Sequence, residues 1–198
     1  MPRTSTRVLP ARSRERRDAL LDQLTDLYLA EGFLRLGMGD LAERLSCSRS
    51  TLYLVAPSKE QIITAVVRHY FKRAAARINR HADAVEDAAG RLHAYLDAVA
   101  EELAPATDAF YSDLADFAPA AEIYQANTEM AAQRVHDLVA DGVSAGALRQ
   151  VDARFVGAAV AEVMTSIQSG RIEAATGLND AAAYRALADL VVTSLLAR

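Results

Sequence analysis

From Ile62 to Phe71 the chain repeats an apolar pair every four residues: Ile62-Ile63, Val66-Val67, Tyr70-Phe71. Only an α-helix brings such pairs onto one face, so this segment folds as a helix with a buried stripe. Pro57-Ser58-Lys59-Glu60-Gln61 supplies its start. Ser58 caps, Gln61 stands at the reciprocal capping-box position, and Glu60 suits the positive end of the dipole. The helix is expected to run to about Arg80, with Arg68, Lys72, Arg73, Arg77 and Arg80 on its other side.

The same periodicity covers most of the chain. Leu20, Leu21, Leu24, Leu27 and Tyr28 predict a helix over about 14–31, ended by Gly32, with Phe33 folding back onto it. Met38, Leu41, Ala42 and Leu45 predict a short helix, Ser46-Cys47-Ser48 a tight turn, and Arg49 to Leu54 a second short helix. Further helices are expected near 88–103, 107–116, 119–142, 153–174 and 180–197. Pro105 and Pro119 mark breaks, Gly142, Gly146 and Gly177 punctuate, and Asp152 and Asn179 cap. No segment alternates with period two long enough for a strand. With 41 Ala and only 9 Gly and 5 Pro in 198 residues, composition agrees, and the fold class is all-α.

Charge divides along this helical chain. Residues 1–80 hold 15 Lys/Arg against 8 Asp/Glu, a net +7, while residues 81–198 carry −11. Such asymmetry suggests a basic end that meets a polyanion. Arg3, Arg7, Arg12, Arg14, Arg16 and Arg17 crowd the first twenty residues into a basic arm that runs into the first helix, and Arg12 and Arg14 are candidate phosphate contacts. One cysteine excludes an internal disulfide framework. The N-terminus lacks the apolar stretch of a signal peptide, and the longest uncharged run, Ser50 to Ser58, is too short for a bilayer. A soluble cytoplasmic protein without membrane contact is expected.

Two short helices joined by a three-residue turn and packed on a longer one describe a helix-turn-helix, whose second helix presents its N-terminal residues to base edges. Arg49 suits guanine O6 and N7. Ser48, Ser50 and Thr51 are short hydrogen-bonding side chains, the Tyr53 hydroxyl reaches toward a phosphate, and Leu52 belongs to the core. Three other patterns fail on context. Gly142-Val143-Ser144-Ala145-Gly146 fits a nucleophile elbow, but a helix precedes it and no His follows. Gly37-Met38-Gly39-Asp40-Leu41-Ala42 fits a dinucleotide fingerprint without its βαβ unit. His69, His81, His93 and His136 match no metal-ligand spacing, and Cys47 reads as a packed thiol. No catalytic residue, metal or cofactor is expected.

The ordered series Leu20-Leu21 to Leu27-Tyr28, Glu31-Gly32-Phe33, Asp40-Leu41-Ala42-Glu43-Arg44, Ser48-Arg49-Ser50-Thr51-Leu52-Tyr53 and Pro57-Ser58-Lys59-Glu60 resembles the TetR family of bacterial transcriptional regulators. The resemblance implies a homodimer with a DNA-binding domain, here residues 1–60, and a larger helical ligand-binding and dimerisation domain, here 61–198. It assigns bases to Ser48, Arg49 and Ser50, and phosphates to Thr51, Tyr53 and Lys59. The chain departs from the family where Ser46 replaces a turn glycine and where Val55-Ala56 replaces an aromatic-or-His pair. Leu54 replaces another aromatic, and Gly37 and Gly39 stand where a hydroxyl cap and a longer polar residue are common.

The resemblance implies that Tyr95, Phe110, Tyr111, Phe117, Tyr124 and Met130 surround the ligand cavity, although aromatic residues on helices also build ordinary cores. The last two long helices offer Phe155, Ala158, Ala159, Glu162 and Val163, and Leu187, Leu190, Val191, Ser194 and Leu195, as a dimer interface. The expected function is a repressor that a small, hydrophobic molecule releases from a pseudo-palindromic duplex operator. The rival expectation is a helical binding module whose helix-turn-helix has decayed.

Overall fold

A computed structural model of the protein describes residues 11–196. Through them run α1 Ala11–Glu31, α2 Met38–Arg44, α3 Arg49–Leu52, α4 Lys59–Asp83, α5 Ala88–Leu103, α6 Asp108–Asp116, α7 Ala118–Ser144, α8 Ala153–Gln168, α9 Arg171–Thr176 and α10 Asp180–Leu195. Among the described residues no strand forms; Leu148 and Leu196 make a single antiparallel bridge. The class is all-α, as expected. No helix is long and apolar enough to cross a membrane among the described residues.

Local chemistry sets most helix ends. Gly32 takes φ +75 and closes α1 by donating its N–H to the Tyr28 carbonyl at 2.9 Å. The Ser58 hydroxyl accepts from Gln61 N at 3.2 Å and starts α4. Asp87, Asp152 and Asn179 cap α5, α8 and α10 through their side chains.

Three expectations need correction. The helix foreseen over 153–174 is two, because Gly170 takes φ +70 after Gln168 and the chain restarts as α9. Gly142 does not punctuate but lies inside α7, where a Cβ would stand 2.5 Å from Leu148 Cδ1. Its bareness lets the following loop pack back on the helix. Finally, α3 stops at Leu52, and bonds from Leu54 N to Thr51 O and from Val55 N to Leu52 O continue it as a tighter turn. Residues three apart eclipse in such winding, which puts Leu52 and Val55 together in the core.

The core is one connected cluster from Leu20 to Leu195. In it α4 packs on α1, α5 and α7, while α10 lies against α5 and α8. The link between α1 and α2 is fastened to α6. Asp113 accepts hydrogen bonds from Phe33 N and, at 2.8 Å, from Leu34 N. Thr107 reaches the Leu29 carbonyl with both its backbone N–H, at 2.9 Å, and its hydroxyl, at 3.0 Å. Gly32 allows this approach, since a Cβ there would meet Asp113 Oδ2 at 2.6 Å and the Ala109 carbonyl at 3.1 Å. Phe33 fills the space behind, edge-on to Phe110 at 6.0 Å and to Phe117 at 6.4 Å.

Asp113→Ala strands two half-buried amides and is expected to destabilise the fold by about 2–3 kcal/mol. Urea unfolding measures it; an unchanged midpoint contradicts this role.

Candidate nucleic-acid interface and ligand cavity

The α2–turn–α3 unit holds α3 by its inner side. Leu41 and Leu52 are fully buried and Val55 nearly so. Val55 thus belongs to the core of this unit. The turn closes through bonds from Ser46 N to Glu43 O, at 3.0 Å, and from Cys47 N to Ala42 O, at 2.9 Å. Closing it puts Ser46 at φ +49, the one non-glycine residue at positive φ among those described. A side chain there costs about 1–2 kcal/mol. Cys47 is half-buried and packs against the core.

With Leu52 turned inward, Ser48, Arg49, Ser50 and Tyr53 face solvent and Thr51 is half-exposed. Ser48 also serves the helix itself, because its Oγ accepts from Thr51 N at 3.1 Å and lies 2.7 Å from Ser50 Oγ and 2.9 Å from Thr51 Oγ1. Arg49 lies across the start of α2, where a Cβ on Gly39 would approach its Nη2 to 3.0 Å. Gly37 caps α2 without a side chain, and Asp40 accepts from its N–H at 2.7 Å instead.

The cations divide into committed and uncommitted groups. Lys59 Nζ donates to the Leu34 carbonyl at 2.7 Å, which ties α4 to the α1–α2 link and leaves two of its three protons. Arg73 and His69 pair with Asp22, Arg77 with Glu102, and Arg44 with Glu31. Arg68 and Lys72 remain exposed on α4. Arg14 is exposed within the first turn of α1. The Arg12 side chain, and Arg3 and Arg7 altogether, lie outside the described residues. The remaining histidines form no metal cluster among the described residues, His93 pairing with Asp97 and His136 with Asp137.

Between α4, α5 and α7 lies a cavity of about 370 Å³, lined by Phe71, Ala74, Ile78, Tyr95, Val99, Tyr124, Met130 and Arg134, among others. Tyr124 stacks on Phe71 at 5.2 Å and separates it from a second cavity of about 410 Å³, which Tyr111 lines. Thr128 belongs to both walls and, with Tyr184, receives a hydrogen bond from the Gln168 amide. Burial pushes the Tyr95 hydroxyl up to about 12, with Arg134 pulling the other way. Phe110 and Phe117 do not line either cavity; they pack under Phe33 in the α1–α6 contact.

A groove between α8 and α10 holds Phe155, Ala159, Val163, Leu187, Leu190, Val191, Ser194 and Leu195. Phe155 and Leu190 are 73% and 67% exposed. Glu162 is exposed on α8 outside the groove lining, and Ala158 turns toward His136 of α7.

Solved structures share this arrangement. A transcriptional regulator of Saccharomonospora viridis in complex with choline superposes with a TM-score of 0.70 at 19% identity, over 94% of this chain and all of that one. A TetR regulator of Chloroflexus aurantiacus gives 0.70 at 19% identity, over 95% of this chain and all of that one. The fold is that of TetR-family regulators. A TetR-family regulator of Agrobacterium tumefaciens agrees, with 0.69 at 18% identity over 93% of this chain and all of that one. No family model matches the sequence, and no curated protein does. Within this TetR fold, Asp113 and Arg134 escaped the sequence reading. Asp113 acts through partners about eighty residues away in sequence. Arg134 left one signal, a cation one turn beyond the buried-face residues Tyr124, Thr128 and Ala131.

Ser46→Gly relieves the turn but loosens the unfolded chain, so a net gain of about 0.5–1 kcal/mol is expected in denaturant unfolding. Asp180, half-buried near Tyr111, Tyr184 and the like-charged Glu173 and Asp108, has its pKa raised from 3.8 to about 6. The folded state therefore holds this proton more tightly than the unfolded chain. The group costs nothing below pH 3.8, destabilises increasingly between there and about pH 6, and its cost levels off above that. Asp180→Asn is expected to raise the unfolding midpoint at pH 7.5 and not at pH 3.5; equal effects at both would refute it.

Proposed function

We propose that this protein is a cytoplasmic, dimeric, ligand-responsive regulator that binds duplex DNA and represses transcription from a pseudo-palindromic operator. Residues 1–60 form its DNA-binding domain and residues 61–198 its effector and dimerisation domain. The observation that carries this reading is α3. Its N-terminal residues Ser48, Arg49 and Ser50 are exposed together, on a helix anchored from behind by Leu52 and Val55. The net +7 of residues 1–80 places them in a positive field. The TetR-like neighbours, themselves transcriptional regulators, support it further.

In this reading Arg49 reads guanine, Ser48 and Ser50 face neighbouring bases, and Thr51, Tyr53, Arg12, Arg14 and the two spare protons of Lys59 hold phosphates. The exposed Phe155 and Leu190 meet their copies across the groove between α8 and α10, with Glu162 at its rim. The half-sites are then separated by about one helical turn or a multiple of it, roughly 34–36 Å each.

Release follows from connectivity. A small, mostly apolar molecule between α4, α5 and α7 presses on Phe71, Ala74 and Ile78 of α4. The other end of α4 holds the α1–α2 link through Lys59 and Leu34. The fastening of α6 to Leu29, Phe33 and Leu34 makes a second route. Converting a population from 99% competent to 1% needs about 5.5 kcal/mol of differential affinity. No step calls for catalysis, and the protein acts without a cofactor.

Selecting bound fragments from random duplexes is expected to enrich a two-fold motif. Arg49→Ala should weaken binding to it by about tenfold or more. Phe155→Asp should shift sedimentation toward monomer and abolish binding to the full site. Absence of any enriched motif at low salt would favour the rival, a helical binding module with a decayed helix-turn-helix.

A further inference from the structure

We propose that the cavity between α4, α5 and α7 is built for an amphipathic carboxylate, its head on Arg134 and its apolar tail among Phe71, Tyr95, Val99 and Tyr124. This rests on the reading of that cavity as the effector site and names the class of molecule it takes.

The Arg134 guanidinium is held from outside, where Nη2 donates to Asp83 Oδ1 at 2.7 Å, joining α7 to the end of α4. Its Nε is shielded from solvent and has no acceptor among the described residues. Arg134 also lines the cavity, and its charge is felt at the Tyr95 hydroxyl. The Nε itself is covered by neighbouring atoms, so a small turn of the half-exposed guanidinium toward the cavity it lines is needed for a carboxylate oxygen to satisfy it, through a short charge-assisted bond.

Most other polar groups of the wall are occupied, Asn127 being the exception with no side-chain hydrogen bond among the described residues. Arg77 holds both oxygens of Glu102, and the Asn79 amide donates to the Ala75 carbonyl. Thr128 donates to Tyr124 O and accepts from Gln168. Asp137 accepts from Gln133 and His136 at the exposed rim. Asp83 is itself largely exposed, so water screens its charge, and it neutralises the inner edge of Arg134 only in part. The rest of the wall is largely aromatic and aliphatic, which suits a hydrocarbon or aryl tail, and Asp137, its one carboxylate without an arginine partner, sits at the exposed rim.

Calorimetric titration of the full chain with decanoate, decan-1-ol and decyltrimethylammonium tests this, with Nile red displacement reporting occupancy of the apolar cavity. Decanoate is expected to bind about tenfold or more tighter than the alcohol, and the ammonium more weakly than either. Arg134→Met should erase the preference for decanoate over the alcohol while leaving Nile red and decan-1-ol binding intact, which also shows that the variant folds. Equal binding of acid and alcohol by the wild-type protein, or a preference that survives Arg134→Met, overturns the assignment while the cavity keeps its place as an effector site. Failure of Nile red and all three probes to bind the wild-type protein removes the effector site and this proposal with it. Enrichment of an operator motif is measured independently and stands or falls apart from both.

Discussion

One carboxylate joins the α1–α2 link to α6. Asp113 accepts from the amides of Phe33 and Leu34, the first residues after α1 has ended and its chain direction has turned. Those amides have no helical partner, so the side chain of a helix eighty residues away supplies one. The contact exists only because Gly32, at φ +75, presents no Cβ to the approaching α6. The α1–α2 link that leads into the recognition unit is therefore fixed by the same helix that borders the second cavity through Leu114 and Ala115.

Around that point the fold uses polar bonds to set positions and apolar burial to set stability. The Tyr70 hydroxyl reaches the Glu102 carbonyl at 2.7 Å, while Arg77 clasps the carboxylate of the same residue. Arg149 similarly fastens the end of α10, through its backbone N–H to Leu195 O and its Nε to Ser194 O. Each such bond is worth little in net free energy beside the buried Phe33, Tyr28 and Leu24, but each selects one arrangement of helices.

The sequence was most informative where structure follows local rules. The four-residue repeat of Ile62, Val66 and Tyr70 and the caps at Ser58, Asp152 and Asn179 foretold α4, α8 and α10 because they depend on neighbours within one or two turns. The exposed face of α3 followed from Leu52 taking the inside. The break at Gly170 was hidden because an isolated glycine is tolerated inside many helices, and periodicity continued across it through Ile172. Phe110 and Phe117 were placed in a cavity because their aromatic character says nothing about whether Phe33, far away in the chain, will cover them. For the same reason no local pattern could reveal Asp113 under the α1–α2 link, or an arginine nitrogen buried without an acceptor.

The length of α4 adds a geometric consequence. Its 25 residues at about 1.5 Å each make a rod of roughly 37 Å, with Lys59 at one tip and the Asp83–Arg134 pair at the other. If the Asp83 tip stays put, a pivot of about 5° sweeps the Lys59 tip through about 3 Å, close to the roughly 3.4 Å step between stacked base pairs. A displacement too small to disturb packing at one extremity thus becomes, at the other, one as large as the rise between stacked bases.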